Sequence, residues 1–473
     1  MPKDFQMDLC HGPLASKIVR FSVPLMLTFL LSIAFNAIDL VVIGNFSTSD
    51  SMAAIGATLS YNAMLFCMFF GLTTGSNVVV ARYYGAGDKE QTSKAVHTSM
   101  VLAVISGLLL AVIGISMAEP VLRAMATPES ILPRACTYIS ICLLAVPFVM
   151  IYSFGCTILR AVGNTVHPLI YLVIAGTVNV LLNLFFVICL KMDVAGVAIA
   201  TAVSHFVSAV LVIQNLCRVD GPHRLYFSRL RPDRENLREI LRIGIPASIQ
   251  SSCFGLSNMI LQSSINGFGA AAIAGTTAAI GLEGVVQVSD NAFYHASVTF
   301  VSQNYGAKQY RRILQSVLYC YLFSAVSSLV MGGGFCLFAE PLLRLFNPDP
   351  EVIRWGVIRV DMLFTTFALC CVMDVASAAL RGIGYSMTST VVTLFGVCAF
   401  RILWVFTVFP RFHTMENLLL SYPISWTLVW ILNGGLFLLL FRKEVRARIG
   451  HKIDWSLLGP GLFRGTRAWG EKR

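Results

Sequence analysis

The chain has 473 residues, 56% of them hydrophobic and only 12% charged, with mean hydropathy +0.74 and a formal net charge of +11. A soluble domain carries about 25% charged residues, so this chain could not keep a soluble surface solvated. Long apolar runs exclude an outer-membrane barrel and predict an all-α polytopic membrane protein.

In chain order, the start MPKDFQMDLCHGPLASKIVR is polar with no small-residue cleavage site after it. No cleavable signal peptide is expected, and the first span should act as its own insertion signal. Twelve apolar spans follow, near 18–44, 53–82, 95–117, 135–158, 168–190, 194–217, 243–267, 271–301, 313–338, 355–379, 387–409 and 417–441. About 20 residues cross a bilayer, so each is a full span with tilt or overhang. The expected organisation is a six-helix lobe over 1–217, a basic linker 218–242, a second six-helix lobe over 243–441 and a basic tail 442–473.

The two halves repeat each other. ARYYGAG at Ala81–Gly87 recurs as SQNYGAK at Ser302–Lys308, AEPVLR at Ala118–Arg123 as AEPLLR at Ala339–Arg344, and LRAVGNT at Leu159–Thr165 as LRGIGYS at Leu380–Ser386, always 221 residues later. A fixed offset at three landmarks means two homologous halves. An even number of spans per half makes them parallel repeats about an axis along the membrane normal. Duplicated lobes of this kind point to a transporter with a shared central cavity.

Charge sets the orientation. Of 35 Lys and Arg, seven fall in one set of connecting segments (Arg123, Arg134, Lys191, Arg344, Arg354, Arg359 and Arg411) and Arg401 falls inside a span; the other 27 lie on the opposite side. The positive-inside rule then puts both termini in the cytoplasm of a cell (plasma) membrane protein. The basic linker and tail should contact anionic lipid headgroups, and the tail HKIDWSLLGPGLFRGTRAW reads as interfacial. This distribution accounts for the +11 without nucleic acid. The 13 cysteines show no metal or redox spacing and read as packing residues. Glycines in Tyr84-Gly85-Ala86-Gly87, Tyr305-Gly306-Ala307 and Leu159–Gly163 should end their helices in left-handed turns.

These pieces carry a resemblance. NAIDLVVIG at Asn36–Gly44, ARYYGAGDKEQ at Ala81–Gln91, LRAVGNT, NVLLN at Asn179–Asn183, GVAIAT at Gly196–Thr201, SQNYGAKQYRR at Ser302–Arg312 and LRGIGYS span nearly the whole chain in order. Together they resemble the multidrug and toxic compound extrusion (MATE) family. The resemblance implies two bundles meeting at a V-shaped cleft, a monomer, and a cation-coupled antiporter that expels organic, often cationic, compounds. The implied coupling ion is H⁺ or Na⁺, with no cofactor.

Acids inside the membrane need a reason, because a charge at mid-bilayer costs about 2.5–3.5 kcal/mol on insertion scales. The first half has one deep acid, Asp39. It lies 19 residues after Arg20, about 28 Å along the first span. A lone buried carboxylate is suited to exchange a proton or bind a small cation. It resembles the family's first-span aspartate. Asn179 and Asn183 share one helix face and could hold a cation or the Asp39 carboxylate, or serve as interhelical glue. Asn183 stands where many archaeal-type members carry aspartate. Thr201 resembles a further family position. These four form the expected ion-coupling set, with Na⁺ at Asp39, Asn179 and Asn183 as the one candidate metal.

The second half is richer in acids. Glu283 and Asp290 are seven apart on the eighth span, and Asn291 and His295 continue a polar stripe. Asp374 lies in the tenth span and resembles the family's acid there. Arg401 lies within the eleventh and calls for an acidic partner or a watery cavity, with Asp374 or Asp361 the natural candidates. Glu283, Asp290, His295, Asp374 and Arg401 are the expected second-lobe polar or substrate site. Phe69, Phe70, Phe148, Met150, Tyr152, Phe293, Tyr294, Met362, Phe364 and Met373 could supply an adaptable apolar pocket for flat cations.

Three functions compete. An antiporter uses these acids to bind its ion and moves small organic cations. A flippase of lipid-linked precursors, from the same wider superfamily, would line its cleft with several basic residues. An enzyme would need a nucleophile–base pair or metal cluster, yet the eight histidines show no H-x-x-x-H and the chain has no P-loop. The sequence favours the antiporter.

Overall fold

The computed structural model describes residues 5–46, 49–125 and 127–449, which are helices joined by short connections. The expected interfacial tail falls on 450–473 and lies outside the described residues, as do the side chains of Phe69 and Phe70. In the first lobe the helices are α1 (Leu14–Phe46), α2 (Ser49–Gly85), α3 (Lys89–Ala124), α4 (Leu132–Leu144), α5 (Val146–Ala161), α6 (Val166–Leu184) and α7 (Asp193–Arg218). The second lobe holds α8 (Arg234–Asn266), α9 (Ala270–Gly306), α10 (Tyr310–Leu337), α11 (Ala339–Arg344), α12 (Pro350–Phe364) and α13 (Phe367–Gly382). It ends with α14 (Ser386–Thr393), α15 (Phe400–Thr407) and α16 (Met415–Ile449).

All twelve expected spans are helical columns. Two are bent pairs. α4 and α5 meet at 42°, and α12 and α13 at 45°, at equivalent places in the two repeats. The first bend has Pro147 just inside α5, which removes a backbone donor. The second has no proline. Thr365 and Thr366 instead turn their hydroxyls onto the carbonyls of Asp361 (2.6 Å) and Met362 (2.8 Å), a back-bonding that bends helices. One bend is thus reached by two chemistries. The sixth and fourteenth helices lead into π-helical turns at Phe185–Cys189 and Leu394–Ala399.

The outward faces are apolar. On α3, Val104, Ile105, Leu108, Leu109, Val112 and Ile113 are all exposed, as a lipid-facing stripe must be. By length and apolarity alone, eight helices qualify to cross a membrane, or ten with the bent pairs counted as spans. Of the remaining two columns, α8 carries Gln250, Ser251, Ser252, Asn258 and Gln262. The other, α2, packs on α8 more extensively than any other helix pair packs. Of the polar α8 side chains, Gln250, Ser251, Asn258 and Gln262 line a cavity inside the second lobe, while α2 packs on α8 at Ile240, Gly244 and Ser248. α8 starts at Arg234, inside the segment expected as linker, because Asp233 caps it by accepting from the Asn236 backbone N–H.

The lobes converge on the face that carries the linker and the N-terminal segment. There α2 and α9 cross at their C-terminal ends. A Cβ on Gly85 would lie 2.0 Å from the Gln303 carbonyl oxygen, and one on Gly306 would lie 1.9 Å from that of Arg82. These glycines are symmetry mates, and both are helical. They permit a backbone-to-backbone crossing and are not the chain's left-handed turns. The left-handed residue is Gly87 (φ 73°) after α2, but Lys308 (φ 58°) after α9, where the second repeat has no glycine. A second close contact sits about three turns deeper along α2, where a Cβ on Gly75 would lie 2.3 Å from the Ile240 carbonyl oxygen.

Polar contacts tie the same face. Arg82 pairs with Glu239 and lies over the Tyr305 ring at 5.2 Å. Gln303 donates to the Ala161 carbonyl. The N-terminal segment straps both lobes: the Met7 N–H donates to the Gly163 carbonyl (3.2 Å), and Arg312 donates to the carbonyls of Gly12 (2.9 Å) and Leu9 (3.1 Å). Cys10 is buried under this strap, 3.9 Å from the Gln303 oxygen. Gly306→Val should force the crossing apart, since overpacking costs about 1–3 kcal/mol. In a background retaining only Cys10, the variant is expected to label with a maleimide several-fold faster than its parent. Equal rates would show that the crossing does not hold this face shut.

Candidate functional site

Asp39, Asn179, Asn183 and Thr201 come from three helices and meet in the first lobe. Asn179 and Asn183 project from one face of α6, one turn apart. The Asn183 amide donates to Asp39 Oδ1 at 2.5 Å and to Asn179 Oδ1 at 3.2 Å, and the Asn179 amide donates to Thr201 Oγ1 on α7 at 3.3 Å. Asn179 and Asn183 are buried. The chain of donors ends on a carboxylate, which is the strong, charge-assisted kind of hydrogen bond. One acceptor is left over: Asn183 Oδ1 is buried without a hydrogen-bond partner. A carboxylate beside an orphaned amide oxygen and a hydroxyl is an oxygen donor set suited to a proton or a hard cation.

The second-lobe residues divide into separate groups. Glu283 on α9 forms an ion pair with Arg359 on α12 at 2.9 Å, with the two side chains 19% and 5% exposed. Arg359 was read in the sequence as a charge of a connecting segment. It is 4% exposed inside α12, and its position within the span 355–379 was the available signal. Asp290 lies at the edge of the Glu283 stripe and faces α13, where the ligand atoms of Asp290, Cys370 and Asp374 all lie within 4.8 Å of one another. One Asp290 oxygen is buried without a hydrogen-bond partner.

Arg401 does not pair with Asp374 or Asp361. It is fully buried and donates to Ser425 Oγ (3.0 Å) and Asn258 Oδ1 (3.1 Å). The guanidinium lies 4.0 Å from the Tyr422 ring centre, with Phe254 and Trp426 at 5.3 and 5.8 Å. Three aromatic faces and two neutral acceptors replace the expected carboxylate, because a desolvated cation over an aromatic face is itself stabilised by about 2 kcal/mol. His295 also leaves the second-lobe group. It stacks on Phe29 of α1 (5.9 Å between centroids) and lines a cavity of the first lobe.

Two cavities take up Glu283, Arg359, Asp374 and His295, while Asp39, Asn179, Asn183, Thr201, Asp290 and Arg401 line neither. The larger, about 590 Å³, lies in the second lobe and is lined by Gln250, Glu283, Asn291, Arg359, Asp374 and Arg381 among others, with Phe254, Tyr294 and Trp426 as aromatic walls. The smaller, about 230 Å³, lies between α1, α2, α5, α6 and α9, with Phe29, Met150, Tyr152, Arg160 and His295 on its walls. Of the expected aromatic and methionine pocket, Met150, Tyr152 and Tyr294 line cavities, while Phe293, Phe364 and Met373 are buried in the lobe cores and Phe148 packs on Phe206. Arg160 and Arg381 were missed. Both sit in the LRAVGNT and LRGIGYS repeats, which had been read as helix ends, and a cation recurring at the same place in two apolar halves was the overlooked signal.

Comparison with known proteins agrees with this architecture. The MatE family model matches residues 24–185 and again 246–407, once per repeat. The chain is 24% identical over 440 residues to the "Probable multidrug resistance protein YoeA" of Bacillus subtilis, covering 91% of this chain and 94% of that protein. It is 23% identical over 392 residues to the "FAD transporter" of Shewanella oneidensis, covering 82% and 86%. Among solved structures, the outward-facing conformation of a multidrug resistance MATE family transporter superimposes with a TM-score of 0.85 at 21% identity, covering 93% of this chain and 98% of that one. With a match in each repeat that together covers more than half of the chain, the chain belongs to the MATE family of transporters.

Proposed function

We propose that this chain is a cation-coupled antiporter that exports organic compounds through the plasma membrane, with both termini in the cytoplasm. The observation that carries the reading is the Asp39–Asn183–Asn179–Thr201 chain of side chains, which ends on the one deep acid of the first lobe. A proton or Na⁺ arriving at Asp39 removes the acceptor charge that holds Asn183. The α1–α6 contact then has two strengths, one with the ion and one without. An ion that binds the two lobe arrangements unequally drives the exchange between them. The Asp290–Asp374 pair gives the second lobe its own proton-exchanging group.

The cargo reading follows the charges left over in the larger cavity. Glu283 is neutralised by Arg359, so Asp374 is the lining acid without an ion pair. A cationic group on the cargo would face it between aromatic walls. The flippase reading is not favoured: relatives carry multidrug names, and the basic residues of the cavity are partly matched by acids.

The test is efflux of a fluorescent organic cation from proteoliposomes of known orientation, under separately imposed proton and sodium gradients. Wild type should move the dye under one gradient, and Asp39→Asn should abolish that movement while leaving the protein folded. Movement that survives Asp39→Asn unchanged would remove Asp39 from coupling. Glu283→Gln is expected to act differently, through stability. It strands the buried Arg359, and removing one partner of a buried pair costs about 3–5 kcal/mol. Thermal unfolding in detergent should show a clear loss for Glu283→Gln, and Glu283→Gln with Arg359→Gln should regain most of it. A double variant no more stable than the single would mean the pair carries no such energy.

A further inference from the structure

Arg160 and Arg381 occupy the same place in the two repeats, 221 residues apart in the last turn of α5 and of α13. Each lines its own lobe's cavity. Neither has a carboxylate within ion-pair distance among the described residues. Arg381, 5% exposed, donates to Gln250 Oε1 at 2.7 Å and to the Tyr294 hydroxyl, over whose ring it lies at 5.6 Å. Arg160 donates to Thr157 Oγ1 at 2.7 Å. In both, Nε is buried with no hydrogen-bond partner. Among the described residues, the walls of the smaller cavity carry no acid. A cation in a last turn suits the helix dipole, but the dipole needs neither a cavity nor an unpaired buried N–H.

A buried guanidinium that faces open volume, as these two do and Arg401 does not, has room for an anion to complete its unmet hydrogen bonds. It is also the side chain whose planar fork best matches a carboxylate or phosphate. In the larger cavity Asp374 lies seven residues before Arg381, about 10 Å along α13, with aromatic walls between α8, α9 and α16. The wall therefore carries an acid and a cation at two levels. We propose that the cargo is zwitterionic: an aromatic organic molecule bearing, besides the cationic group that faces Asp374, a carboxylate or phosphate that Arg381 receives, with Arg160 offering the equivalent site in the first lobe. This deepens the export reading above and rests on it for the word cargo, but the recognition itself needs no gradient.

The test is equilibrium binding in detergent with two matched probes, rhodamine 110, which carries a free carboxylate, and rhodamine 123, its methyl ester. Wild type should bind the acid at least about tenfold more tightly than the ester, the scale of a hydrogen-bonded charge contact. Arg381→Gln should erase that preference while leaving ester binding unchanged, and Arg381→Lys should restore part of it. Arg160→Gln, in the other lobe, should weaken the acid probe alone. Should Arg381→Gln fail to fold, the wild-type preference and its change in Arg381→Lys and Arg160→Gln decide the question. Ester binding as tight as acid binding in wild type, or a preference untouched by every arginine variant, would overturn the proposal. An intact acid preference with no gradient-driven efflux would instead remove antiport and leave the recognition site standing.

Discussion

The backbone crossing of α2 and α9 is the constraint on which the rest of the molecule depends. Two helices from different lobes can touch this closely only where neither has a side chain, and Gly85 and Gly306 supply that on both strands of the pseudo-symmetry. Once the crossing is made, Arg82 reaches Glu239 and Tyr305, Gln303 reaches Ala161, and the N-terminal segment can strap the lobes together. In lipid there is no hydrophobic drive between helices, so close packing and such polar contacts carry the association. Because they gather at one face, that face is a natural place for the lobes to pivot or part.

Within this frame the two lobes solve the problem of buried charge in different ways. The first lobe has one acid, met by amides, and one arginine without an acid. The second gives Glu283 to Arg359, sets Asp290 against Asp374, and cages Arg401 in aromatic rings. The repeat preserves the helix layout, the bends and the cavity-lining arginines. It does not preserve the acids. Symmetry is kept where backbone geometry demands it and broken among the buried acids. A transporter needs one scaffold that rocks and two sites that differ, and a duplicated chain can diverge in this pattern.

Much of the fold was legible in the residues. Runs of about 20 apolar residues have one solution in lipid, so all twelve columns could be placed. The repeats at Ala81, Ala118 and Leu159 fixed the two-lobe plan. The first-lobe site was legible as well, because Asn179 and Asn183 share a face by helical period and Asp39 was the one deep acid available to them. The second-lobe site was less so. There several acids and arginines compete, and period alone cannot say which helix faces which. Arg359 was misassigned to a connecting segment, and Arg401, read as calling for an acid or a watery cavity, meets neutral acceptors and aromatic rings.

The sequence by itself determined membrane residence, the number of helical columns, their duplication and the identity of the intramembrane charges, because these follow from composition, length and local period. Only the tertiary structure decided the partners. It matched Glu283 with Arg359, turned Asp290 to Asp374, gave Arg401 a cage of rings, and left Arg160 and Arg381 facing cavities. The glycines of the repeats changed meaning in the same step. Read locally, Gly85 and Gly306 were helix ends; in the fold they are the clearance that lets two helices cross. Pairing depends on which helices become neighbours, and that is set by contacts between residues hundreds of positions apart, which no local pattern encodes.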